Sequence, residues 1–207
     1  MRPVIRSFDR FLRRPPSAAA RIALVMAAVA LGVSLFFPFW TISLVAPQYQ
    51  EGLTLHIHAH KLEAGNGGQD LHEINGLNHY IGMKPLQEAD FVEMKWVPFA
   101  LGVFVLLALR AAAIGTVRGV IDLLVLYLYF TAFSLGSFYY RLYTYGHQLD
   151  PKAPVRMEPF TPVMIGRQQI ANFEQSSFPD TGAIFLGLFP VLLVLALWLS
   201  RKEEPSS

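Results

Sequence analysis

The chain has no cysteine among its 207 residues. Disulfide stapling, thiolate metal ligation and CxxC redox chemistry are therefore excluded. Charge is scarce as well. Asp, Glu, Lys and Arg together make up 15%, against about 25% in an ordinary soluble domain. Arg clusters near one end, and no basic stripe is interleaved with aromatics, so nothing points to nucleic acid. HExxH and Ser/His/Asp arrangements are missing too. With no positioned acid/base machinery, the chain reads as a non-enzyme.

What the chain does have is apolar length. Hydrophobic residues make up 53% and mean hydropathy is +0.38, which makes lipid the expected solvent for much of the chain. A membrane-spanning helix needs about 20 mostly apolar residues. Four candidates are expected, at about 22–46, 97–114, 120–140 and 181–200. The first follows an Arg-rich start (Arg2, Arg6, Arg10, Arg13, Arg14, Arg21). Ala28-Val29-Ala30 has the look of a cleavage site, but the apolar run continues beyond it, which favours an uncleaved anchor. Pro38 is expected to kink its outer end. The fold class that follows is all-α: a single membrane domain, a four-transmembrane-helix bundle with two long extracytoplasmic loops.

Orientation comes from the positive-inside rule. The Arg-rich N-terminus, the short turn with Arg110 and Arg118, and the tail at Arg201-Lys202 fall on one side. Both termini are thereby placed in the cytoplasm of a bacterial inner membrane, with the loops 47–95 and 141–180 outside.

All six histidines fall in those loops. Leu55-His56-Ile57-His58-Ala59-His60 alternates strictly, the pattern of a strand. His56, His58 and His60 are expected on one face, where a His-x-His pair grips a metal. A Gly-rich turn, Gly65-Asn66-Gly67-Gly68, follows. A short helix from Leu71 to Ile81 is then expected, with Asp70 as N-cap, Glu73 at the capping-box position and Gly82 as its stop. His72 and His79 fall on its polar face, with Met83 four residues past His79. If the helix lies over the strand, as many as five His and one Met converge. Residues 86–94 read as an interfacial amphipathic helix, and the Pro-rich second loop as irregular, with its stretch 160–166 folding back on the first loop.

The candidate metal ligands are thus His56, His58, His60, His72, His79 and Met83. Imidazole with thioether and no thiolate favours copper, with zinc second. Haem is disfavoured because the expected spans carry no His.

Two stretches carry a resemblance: Asp70-Leu71-His72-Glu73-Ile74-Asn75-Gly76-Leu77-Asn78-His79-Tyr80-Ile81-Gly82-Met83, and Phe160-Thr161-Pro162 through Asn172-Phe173. They resemble small multispan membrane proteins that accompany nitrous oxide reductase maturation systems in bacteria. The resemblance implies a role in assembling a copper enzyme outside the cytoplasm, with His72, His79 and Met83 in the signature segment. The competing expectation is a structural membrane subunit of a respiratory electron-transfer complex. It rests on the aromatic-rich third span (Tyr127, Tyr129, Phe130, Phe133, Phe138).

Overall fold

The structure is a computed structural model that describes residues 9–202. Arg2 and Arg6 of the basic start, and the two termini themselves, lie outside the described residues. The regular elements run α1 (Ala18–Ser34), β1 (Trp40–Ala46), β2 (Tyr49–Ile57), β3 (Leu62–Ala64), α2 (Gln69–Tyr80), α3 (Glu93–Ile114), α4 (Val117–His147), β4 (Gly166–Ile170), β5 (Phe173–Pro179) and α5 (Thr181–Lys202).

The all-α expectation is overturned. The two segments read as outer loops, together with the end of the expected first span, build a five-stranded antiparallel sheet in the order β3-β2-β1-β5-β4. This is a mixed α/β chain rather than an all-α four-helix bundle. The misreading begins in the run 22–46. Its helix stops at Ser34 after 17 residues, and Trp40–Ala46 is a strand. Pro38 follows Phe36-Phe37, and the residue before a proline is biased away from the helical region. Beyond it, Trp40, Leu44 and Ala46 are buried while Thr41, Ser43 and Val45 are not, which is the period of a strand. Among the described residues, three helices are long and apolar enough to cross a membrane: α3, α4, and α5 through Arg201.

The chain divides into two compact units. The first contains α1, most of α3, the first half of α4 and most of α5. Its interior is aromatic. Phe104 meets Tyr127 edge-on at 5.2 Å between ring centroids, and Tyr127 lies 4.6 Å from Phe189. The Tyr127 hydroxyl donates to the Leu186 carbonyl at 2.8 Å. Buried hydroxyls need such a partner. Large apolar side chains such as Ile22, Phe99, Leu106, Tyr129 and Ile184 stay exposed, as expected of helices whose outer faces meet lipid.

The second unit holds the sheet. β1 pairs with β2 on one side and with β5 on the other, all antiparallel. A core forms on one face, where Leu44, Leu53, Leu55, Ile170 and Phe173 pack with Ile74, Leu77 and Ile81 of the α2 segment. Burial of each such side chain is worth about 1.5–3 kcal/mol, so α2 is held by its apolar stripe. The helix occurs where the sequence places it and stops at Gly82, which follows the C-cap Ile81 at φ +84°, but its N-cap differs. Gly68 holds the N-cap position at φ +97°, with no side-chain cap. Asp70 is buried in the first turn instead. Glu73 accepts from the Tyr49 hydroxyl of β2. The expected helix at 86–94 is a single 3-10 turn, Glu88–Asp90. The second loop is not irregular throughout, because β4 and β5 form a hairpin with Ile170 paired to Phe173. Its 160–166 stretch does meet the first loop's core: Phe160 packs against that cluster.

Candidate metal site at the end of strand β2

The strand periodicity that puts Leu53 and Leu55 on the core face puts Thr54 and His56 on the opposite face. On that second face His56 stands across from Thr41 of β1 and Glu63 of β3. β2 ends at Ile57. His58 and His60 therefore lie just past it, in a tight turn where the His58 N–H donates to the Lys61 carbonyl at 3.0 Å.

His56 is held through Thr41. Its Nδ1 lies 2.8 Å from Thr41 Oγ1, and the Thr41 hydroxyl donates to Asp180 Oδ2. Asp180 Oδ2 is itself 3.7 Å from His56 Nδ1. The hydrogen bond from Thr41 holds the Asp180 carboxyl below the usual carboxylate range, so it is charged at neutral pH.

His58 is 9% exposed. Its Nε2 lies 3.3 Å from Glu63 Oε2, while its Nδ1 is buried without a hydrogen-bond partner. Burial, then the neighbouring Lys61 ammonium, pushes the His58 pKa down, so the imidazole is neutral at pH 7. Lys61 donates to Glu63 and holds that carboxyl below its ordinary value. The His60 ring centroid lies 6.0 Å from that of His58, and His60 is exposed.

The six expected ligands do not form one cluster. His72 and His79 are exposed on α2. The helix does pack over the sheet, but it packs on the leucine face, because Ile74 and Leu77 must be buried. The same alternation that turns Leu53 and Leu55 toward α2 turns His56 away from it. Met83 lines an apolar cavity of about 80 Å³, together with Leu44, Leu55, Ile74, Phe138 and Tyr145. Among the described residues, no group of three or more His, Cys, Asp or Glu is arranged to hold a metal ion. What the fold places together is His56 with Thr41 and Asp180, and, two residues on, His58 with Glu63 and His60.

The sequence reading missed Thr41, Glu63 and Asp180 as parts of this site. Thr41 was hidden inside an apparent membrane span. Asp180 lies more than a hundred residues away in the chain, and only the pairing of Thr41 with Phe178 brings it near. Comparison with known proteins adds no further constraint, since no family model, characterised protein or solved structure matches the chain.

Proposed function

We propose that the chain is a membrane-anchored accessory protein whose sheet unit binds copper at the His56–His58 pair and aids metal loading or assembly of an extracytoplasmic copper enzyme. The observation that carries this reading is the orphaned Nδ1 of His58, a buried nitrogen in a neutral imidazole two residues beyond His56 in the chain. A buried polar atom without a partner costs free energy, and a bound metal would offset that cost. Two imidazoles are enough for Cu(I), which accepts two-coordinate geometry, whereas zinc takes four ligands. Copper therefore ranks ahead of zinc. The resemblance of the 70–83 and 160–173 stretches points to the nitrous oxide reductase system as the setting. α1 is apolar enough to join the three longer helices as a fourth span. The positive-inside rule then puts both termini in the cytoplasm and the sheet segments outside a bacterial inner membrane.

The test is anaerobic Cu(I) titration of the full chain in detergent against a chromophoric competitor. One equivalent is expected to bind, and His56→Ala or His58→Ala is expected to abolish it. Uptake by neither Cu(I) nor Cu(II) sinks the reading. A second reading, a structural subunit of an electron-transfer complex, draws on the exposed row Tyr129, Phe133 and Tyr140 along α4. Recovery of a stoichiometric, copper-free large complex in mild detergent favours it instead.

A further inference from the structure

We infer that Thr41 and Asp180 are positioning residues that fix His56 as its Nδ1–H tautomer and leave its Nε2 as the lone pair that meets the metal. The inference rests on the copper reading for its consequence, but its structural content stands apart from it.

The argument is a count of protons. The Thr41 hydroxyl has one hydrogen and two neighbours, Asp180 Oδ2 and His56 Nδ1. Asp180 is a carboxylate and can only accept. Were the hydroxyl to donate to His56, Thr41 Oγ1 and Asp180 Oδ2 would face each other with no proton between them. The hydrogen therefore lies toward Asp180. The remaining contact, 2.8 Å from Thr41 Oγ1 to His56 Nδ1, is a hydrogen bond only if Nδ1 carries the proton. A neutral imidazole has one N–H, so Nε2 holds the lone pair. The imidazole of His56 is 36% exposed.

The chain Asp180–Thr41–His56 thus has the logic of the carboxylate–histidine pairs that orient metal ligands, with a hydroxyl inserted between the two groups. Asp180 has a second duty that must be separated from the first. Its Oδ1 accepts the N–H of the next residue, Thr181, at the start of α5. An amide oxygen accepts as a carboxylate oxygen does, so Asp180→Asn removes the charge and spares that bond.

The test uses the full chain in detergent with ¹⁵N-labelled histidine at pH 8, where imidazoles are neutral. Wild-type His56 is expected to show the nitrogen shifts of the Nδ1–H tautomer. T41V is expected to lose that signature and D180N to weaken it, while T41S restores it. Cu(I) affinity is expected to fall about 10- to 100-fold in T41V, as for other supporting partners of metal ligands, and to recover in T41S. An Nε2–H signature in the wild type overturns the inference. So does a T41V protein with unchanged shifts. A chain that shows the tautomer, loses it in T41V and yet takes up no copper supports the positioning role and overturns the copper reading alone.

Discussion

Asp70 lies in the first turn of α2 yet serves β2: its Oδ2 accepts the backbone N–H of Thr54 at 2.8 Å. Its Oδ1 accepts from Asn66 Nδ2, also at 2.8 Å. The carboxylate is 3% exposed and links helix to sheet across the Gly-rich turn. Hydrogen bonds to a charged group are worth about 1.5–3 kcal/mol. Asp70→Ala also leaves the Thr54 N–H without its partner. Its expected cost is about 2–3 kcal/mol, read as a lowered urea midpoint by circular dichroism in detergent. Asp70→Asn is expected to cost less, because an amide oxygen still accepts.

Gly82 is expected to resist replacement. Its φ is +84°, a region that side chains strain to adopt. A Cβ there would also lie 2.9 Å from the Asp150 carbonyl oxygen. The Asp150 N–H donates to the Gly82 carbonyl at 2.8 Å, so the close approach is itself a structural contact. Gly82→Ala is expected to lower stability by about 2 kcal/mol, the strain of a left-handed residue plus a displaced neighbour. Thermal melting checks it, with Gly76→Ala as the control at a site that has nothing within 4 Å.

Arg141 of α4 grips Glu93 of α3 with two nitrogens, at 3.2 and 3.0 Å. Ser137 donates to the same carboxylate at 2.7 Å. Both charged side chains are about two-thirds buried, with 32% and 28% left exposed. Removing one partner of such a pair strands the other. Arg141→Ala is expected to destabilise by about 1–3 kcal/mol. Glu93→Gln/Arg141→Ala is expected to cost less than the sum of its parts. A double-mutant cycle on denaturation midpoints decides it.

Tyr49 sets a pH dependence. Its hydroxyl donates to Glu73, and that bond, followed by burial, raises the Tyr49 pKa above its ordinary value. A raised folded-state pKa contributes stability that is fully present below the unfolded value of about 10. That contribution is lost as pH rises through the folded value. The melting-temperature gap between wild type and Tyr49→Phe is therefore expected to be constant below about pH 9 and to narrow above about pH 10. A gap that stays flat to pH 11 contradicts the assignment.

Much of this was legible in the sequence. The cores of α3, α4 and α5, the helix at 69–80 and the strand carrying His56 all follow from periodicity and length. The sheet as a whole did not. An apolar window scores Trp40–Ala46 as span, since burial against a helix and burial in lipid select the same residues. Only the Thr41 and Ser43 alternation distinguishes them, and it lasts for two polar positions. Strand partners far apart leave no local trace either, so β1 with β5 was invisible. At the site, spacing puts His56, His58 and His60 on one strand face, but β2 ends at Ile57 and only His56 stands on it. Its dispersal from His72, His79 and Met83 follows from a question that spacing does not pose, namely which face of the sheet α2 covers.

The order β3-β2-β1-β5-β4 sets a timetable for making the protein. β1, β2, β3 and α2 leave the ribosome early, with one edge of β1 unpaired. The partner of that edge arrives late, since Thr41 and Asp180 are 139 residues apart. At ordinary elongation rates the wait is on the order of ten seconds. During it, an exposed strand edge invites pairing with other chains. Nascent protein therefore passes through a sticky half-sheet, and the β4–β5 hairpin is the piece that ends its vulnerability.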